Sequence, residues 1–164
     1  MFLYTSHQTL LNILCNSQPQ ALAWISGNAE YPRLNGMVKI YTAPHDGVLI
    51  ETEIFHLPES SNGNDTAFFG FHIHETGDCS NNFQNTGGHY NPTAQNHPYH
   101  AGDLPPLMAT SGYAWTICYD GRLTVPELLG KSVIIHRMPD DFTTQPAGNA
   151  GEKIACGIIR QSEF

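Results

Sequence analysis

Phe71-His72-Ile73-His74-Glu75-Thr76-Gly77-Asp78-Cys79 begins as a strand and ends as a loop. On a strand, side chains at i and i+2 project from one face, so His72 and His74 can offer two imidazoles to one metal ion. The strand is expected to run from Thr66 to His74. Downstream, His89-Tyr90-Asn91-Pro92-Thr93-Ala94-Gln95-Asn96-His97-Pro98-Tyr99-His100-Ala101-Gly102-Asp103 supplies three more imidazoles and a carboxylate. That segment is too polar and too rich in Gly and Pro to be a strand. His136 closes the apolar run Ser132-Val133-Ile134-Ile135-His136, so six of the nine histidines fall in three short segments. His7, His45 and His56 stand apart and read as ordinary core or surface residues.

Working outward, Val48-Leu49-Ile50-Glu51-Thr52-Glu53-Ile54-Phe55 alternates, with Val48, Ile50, Thr52 and Ile54 on one face, the pattern of a half-buried antiparallel strand. Ala21 to Ser26 and Met37 to Tyr41 read as paired strands joined by the turn-rich Gly27 to Gly36. Ser60 to Asp65 is a polar loop, and Tyr113 to Tyr119, Lys131 to Arg137 and Ile154 to Ile159 supply later strands, with a turn at Asp120-Gly121. Repeated short strands punctuated by turns predict an all-β sandwich or flattened barrel. Two long connections, about 75 to 112 and 137 to 153, would carry function. Residues 1–20 form an extension of unreadable role, with a short amphipathic helix expected through Leu10, Leu11 and Leu14 and ending before Pro19.

The chain of 164 residues has the size of one domain, expected over 21–164. Its formal net charge of -8 leaves no basic stripe for nucleic acid or an acidic membrane. It has no apolar run of bilayer-crossing length. Met1 to Cys15 lacks a basic n-region, a continuous apolar core and a small-x-small site, so no export signal is expected.

Gly70-Phe71-His72-Ile73-His74-Glu75, Gly88-His89-Tyr90-Asn91-Pro92, His100-Ala101-Gly102-Asp103-Leu104, Val133-Ile134-Ile135-His136 and Gly148-Asn149-Ala150-Gly151 with Ala155-Cys156-Gly157-Ile158-Ile159 follow one another in an order that resembles the copper/zinc superoxide dismutases, over roughly 21 to 160. The resemblance implies an eight-stranded antiparallel Greek-key sandwich or flattened barrel. It implies copper on His72, His74, His89 and His136, and zinc on His89, His97, His100 and Asp103. Imidazoles suit copper, and a closed set of nitrogen and oxygen ligands suits zinc. His89 would lose both ring protons to bridge the ions, and its reprotonation would accompany the reduced half-cycle in which superoxide, the substrate, becomes peroxide. Asp140 would accept hydrogen bonds from His72 and His97, fixing both rings. Lys153 stands where the family commonly has an arginine that guides the anion, and keeps the charge without the planar fork. Arg137 could add charge.

The family also implies a Cys79–Cys156 disulfide tying the metal loop to the last strand. Cys118 reads as a core residue and Cys15 as an unpaired thiol. With no export signal visible, the family's intracellular retention of its disulfide favours the cytoplasm. A homodimer is possible, but the tail Arg160-Gln161-Ser162-Glu163-Phe164 departs from the apolar end through which many members pair. Two features depart from the family: only Pro98-Tyr99 separates His97 from His100, and the loop from His136 to Gly148 carries no lysine. The main rival is a non-enzymatic copper-handling or chaperone-like module, which would be expected to lack a copper ligand or add a thiol pair. A copper-only dismutase or a structural sandwich with inherited ligands are the others.

Overall fold

Val48, Ile50, Thr52 and Ile54 all lie at 0–1% exposure on the inner face of β3 (Val48–Phe55), as the alternation predicts. The computed structural model describes residues 6–43, 46–60 and 64–163; His45 and the centre of the expected polar loop, 61–63, fall outside them, as does the His7 side chain. The described elements are α1 (Ser6–Asn16), β1 (Ala21–Gly27), β2 (Asn35–Thr42), β3, β4 (Thr66–Phe69), β5 (Phe71–His74), a 3-10 segment (Asn81–Thr86), β6 (Leu107–Thr110), β7 (Ala114–Asp120), α2 (Val125–Leu128), β8 (Ser132–His136) and β9 (Lys153–Gln161).

Seven strands form one antiparallel sheet in the order β5-β8-β9-β1-β2-β3-β7, and β4 pairs with β6 in a second. The small sheet joins the two edges of the large one. β4 runs into β5 across Gly70, and β6 turns into β7 through Ser111 and Gly112, both at positive φ (50° and 77°), a turn that suits the twist of a hairpin. The result is the expected all-β flattened barrel, with one correction: the strand anticipated from Thr66 to His74 is two strands in two sheets. It divides at Gly70, where a Cβ would come within 2.7 Å of Ala150 Cβ, and whose amide N–H donates to Met138 O at 2.7 Å. The chain there is drawn toward the 137–152 loop and leaves the small sheet.

Ile25, Leu34, Ile40, Ile50, Ile54, Phe69, Phe71, Ile73 and Leu107 fill the interior at 0–2% exposure. Burying a side chain of this size stabilises by about 1.5–3 kcal/mol. Outside the barrel, Ile13 of α1 packs with Tyr41, Ala43 and Leu49, and Leu10 and Leu14 flank it. The helix ends near the expected place but is turned differently: Leu11 is 57% exposed, because Leu10, Ile13 and Leu14 share the sheet-facing stripe. None of the described helices is long and apolar enough to cross a membrane.

β5 is an outermost strand, and its free edge is the template for the site. Phe71 and Ile73 enter the core, which turns His72 and His74 to the outer face. The neighbouring strands continue that face: His72 pairs with Ile134, and Ile134 with Cys156. Cys156 is disulfide-bonded to Cys79, closing a separation of 77 residues. Such a closure restricts the unfolded chain by about 4 kcal/mol. Phe83 fills in beside Ile134 and Cys156. His72 and His74 are buried as fully as Phe71 and Ile73 because the 75–106 connection covers the outer face.

Candidate metal centre

The covering loop completes the ladder that β5 would otherwise leave open. Ile73 N–H donates to Gly102 O (2.9 Å), Tyr90 N–H to Ile73 O (2.8 Å) and Glu75 N–H to Gly88 O (3.0 Å). These bonds set His89 opposite His74 and Asp103 opposite His72. A sheet edge presents unsatisfied N–H and C=O groups, and here the loop that satisfies them is the one that carries His89, His97, His100 and Asp103.

Two four-residue clusters result: His72, His74, His89 and His136, and His89, His97, His100 and Asp103. In each, one donor atom per residue lies within 4.8 Å of every other. His89 belongs to both, with its ring centroid 4.0 Å from that of His72 and 5.6 Å from that of His100. The structure thus brings together all seven expected ligand residues, each at 8% exposure or less apart from the slightly more open Asp103.

The outer nitrogens of these rings are held. His72 Nε2 lies 2.8 Å from Asp140 Oδ2 and His97 Nε2 lies 2.9 Å from Asp140 Oδ1; His74 Nδ1 faces Gly87 O at 2.9 Å, and His136 Nδ1 faces Gly151 O at 3.1 Å. The opposite nitrogens are the ones left over. His72 Nδ1, His89 Nε2, His97 Nδ1 and His100 Nδ1 are buried without a hydrogen bond. His97 Nδ1 and His100 Nδ1 do approach Asp103 Oδ2 (3.1 and 3.2 Å), but not in hydrogen-bond alignment. His74 Nε2 and His136 Nε2 stand 3.4 Å apart, close to the separation of about 3.3 Å between ligand nitrogens bound at 2.0–2.1 Å around a tetrahedral ion. Buried polar atoms are otherwise almost always paired, so four orphaned nitrogens in two converging groups fit metal ions at both positions. Oriented rings with partners on their far nitrogens are what metal-ligating histidines require.

Electrostatics agree. Burial, then the neighbouring imidazoles His89 and His136, pushes His72 down to about 2. Burial likewise holds His74 at about 2 and His136 at about 4, against the opposing pull of the Gly87 and Gly151 carbonyls. The rings are therefore neutral, the form that donates a lone pair. Burial raises the Asp103 carboxyl, but the His89 hydrogen bond (2.7 Å) and the nearby imidazoles outweigh it and leave it below the usual range.

Asp140 is reached because Gly148, at φ +65°, lets the 137–152 loop pass close by. A Cβ there would overlap Asp140 Oδ1 and sit 2.6 Å from His97 Nε2. Lys153 adopts a role the sequence did not reveal: its ammonium donates to Thr86 Oγ1 (2.8 Å), Gly87 O (3.2 Å) and Phe83 O (3.3 Å), so all three protons serve the loop that carries His89. Burial lowers its pKa. Arg137 points away, donating to Glu59 O at 3.2 Å. Thr86, and the backbone acceptors at Gly87 and Gly151, had no signal in the sequence, since every residue carries a carbonyl. The Cys79–Cys156 disulfide is present, Cys15 is exposed and Cys118 is half-buried.

Residues 34–159 match the family described as copper/zinc superoxide dismutase. The chain is similar to a copper/zinc superoxide dismutase of Legionella pneumophila, 37% identical over 133 residues that cover 76% of this chain and 77% of that one. It is 33% identical over 132 residues to superoxide dismutase 1 of Aquifex aeolicus, covering 71% and 75%. Among solved structures it is similar to the clock protein EA4, with TM-score 0.75, 27% identity and 89% and 97% coverage, and to a SOD-like protein from Bacillus subtilis, with TM-score 0.71, 28% identity and 84% and 96% coverage.

Proposed function

The chain belongs to the copper/zinc superoxide dismutase family, and from that membership we propose that it dismutes superoxide at a pair of ions joined through His89, with copper in the first cluster and zinc in the second. As a member it is an enzyme with copper and zinc as cofactors and superoxide as substrate. The observation that carries the proposal is the double membership of His89, whose Nε2 is orphaned toward one cluster while Nδ1 lies against Asp103 of the other. We assign His72 Nδ1 and the Nε2 atoms of His74, His89 and His136 to copper. The Nδ1 atoms of His89, His97 and His100, with Asp103, are assigned to zinc.

Bound copper supplies a one-electron couple, by which one superoxide is oxidised to dioxygen and the next, with two protons, is reduced to hydrogen peroxide. The protein's part is geometric and protonic. Gly87 and Gly151 carbonyls and the Asp140 carboxylate hold the copper-side rings in fixed tautomers. With copper bound, His89 Nε2 would be the nitrogen that takes up and returns a proton as the couple cycles, and the Nδ1 contact with the second cluster would keep the ring in place. The rival reading, a non-enzymatic copper-handling module, fits less well with relatives named as dismutases. Metal analysis and a superoxide assay on one purified sample test the proposal: two ions per chain with turnover are expected, and copper without turnover would refute it.

Lys153 enters this reading as a fixed charge. Held by Thr86, Gly87 and Phe83, its ammonium is fixed near the clusters, and its field reaches His74 and His136. Lys153→Gln is expected to lower the superoxide rate constant several-fold at low ionic strength with copper still bound, the gap narrowing above about 0.15 M salt as the charge is screened. Equal rate constants at low salt would remove Lys153 from the mechanism.

A further inference from the structure

Only Pro98 and Tyr99 separate His97 from His100, and the loop that bears three of the second cluster's ligands has little regular structure of its own. Its own turns, such as Tyr99 N–H to Asn96 O at 2.8 Å and Asp103 N–H to His100 O at 3.1 Å, are supplemented from outside. Gln145 Oε1 accepts the His97 backbone N–H at 3.0 Å, and Gln145 Nε2 donates to His97 O at 2.7 Å, so one side-chain amide answers both polar groups of a single residue as a neighbouring strand would. Arg122 Nη1 donates to His100 O at 2.9 Å and Nη2 to Asp103 O at 3.1 Å. The same guanidinium is held in turn by the buried Asp120 carboxylate, through Nε at 3.0 Å and Nη2 at 2.7 Å. Every backbone carbonyl of His97, His100 and Asp103 therefore receives a side-chain donor from beyond the loop.

We propose that Gln145 and Arg122, neither of them a ligand, are positioning residues that fix the second cluster and replace the support a longer loop would provide. Gln145 is well placed to do so because its own segment is braced. Asp141 accepts the backbone N–H groups of Thr143 and Thr144 (2.9 and 2.8 Å) and the Thr144 hydroxyl (2.6 Å), while Gly148 N–H donates to Thr144 O at 2.7 Å. Those hydrogen bonds, the Thr144 hydroxyl foremost, hold the Asp141 carboxyl well below its usual range. The same segment supplies Asp140 to His97 Nε2, so one braced loop grips His97 at its amide N–H, its carbonyl and its far ring nitrogen. With those three points fixed, Nδ1 has one direction left, toward Asp103 Oδ2 at 3.1 Å. Arg122 holds His100 and Asp103 by their carbonyls, with a planar fork that a lysine ammonium does not reproduce.

The inference rests on zinc occupying the second cluster. The test loads the full chain with zinc and copper and follows zinc release to a chromogenic chelator for the unaltered chain, Gln145→Ala, Gln145→Glu and Arg122→Lys, with the visible spectrum of cobalt(II) in the zinc position as a second readout. Loss of such outer partners typically weakens metal binding ten- to a hundredfold. Release about ten- to a hundredfold faster in Gln145→Ala and Arg122→Lys, with a changed cobalt spectrum and undiminished copper content, is the expected result. Gln145→Glu, which keeps the acceptor but sets a carboxylate against His97 O, is expected to fall on the same side. Release within twofold of the unaltered chain in both variants overturns the inference. So does parallel loss of copper and zinc with a lowered melting temperature of the metal-free protein, which would mark a merely structural role. An unaltered chain that takes up no second ion overturns the two-metal reading and this inference together.

Discussion

Replacing His89 by alanine is expected to reduce superoxide turnover at least about a hundredfold, more than any other single substitution considered. A far-side partner of a ligand is worth ten- to a hundredfold, and His89 is itself the shared member of both clusters. The substitution removes Nε2 from three remaining copper-side imidazoles and Nδ1 from the zinc-side set, and it leaves Asp103 Oδ1 without its 2.7 Å partner. The fold is expected to survive, because the Tyr90 and Gly88 backbone bonds that dock this segment on β5 do not involve the imidazole. Metal stoichiometry and pulse-radiolytic superoxide decay, read on the same sample, check it. A variant that keeps two ions and more than a tenth of the activity would mean that the ions are not joined through this ring.

The second large effect concerns the protein stripped of metal by chelation. His72 and His74 are held at about 2 and His136 at about 4, whereas an unfolded histidine titrates near 6.5. Above pH 6.5 both folded and unfolded chains carry these rings neutral, and stability does not depend on them through pH. As pH falls below 6.5 the unfolded chain takes up protons that the folded one refuses, so stability falls, and continues to fall until the folded rings titrate. Each ring contributes a slope of about 1.4 kcal/mol per pH unit, and the three together on the order of 4. A domain with a total stability of about 5–15 kcal/mol would be largely consumed over two to three units. The melting temperature of the metal-free protein is thus expected to drop steeply between pH 6.5 and 4.5. The metal-loaded protein should resist, since bound ions compete with protons for the same lone pairs. A flat melting temperature over that window would show that the rings accept protons within the fold.

The shared face of His72 and His74 was readable from their i and i+2 spacing, and the polar loop after them from its composition, whereas the division of seven residues into two sets came from the family resemblance. The barrel was readable from the β3 alternation. What was hidden is what depends on contacts between distant segments. The break at Gly70 arises from the approach of Ala150 and Met138, and nothing local distinguishes it from a glycine inside a strand. β6 escaped notice as four residues, Leu107 to Thr110, after Pro105-Pro106. α2 is only Val125–Leu128, although its Thr124 and Glu127 capping box was there to be read. α1 turns Ile13 with Leu10 and Leu14, and not Leu11, toward Tyr41, Ala43 and Leu49, a choice that the helix alone does not decide. The charge of Lys153 was readable, but not its hydrogen bonds to Thr86, Gly87 and Phe83, which tie β9 to the loop before His89.

The docking of the 75–106 segment on the rim of β5 has a consequence for self-association. Ile73 N–H, Ile73 O and Glu75 N–H are capped only by Gly102, Tyr90 and Gly88, which belong to the same stretch as His89 and Asp103. Whatever loosens that stretch bares a hydrogen-bonding margin that a strand of another molecule can extend. The segment that brings His89 and Asp103 to the clusters therefore also stands guard against intermolecular strand addition.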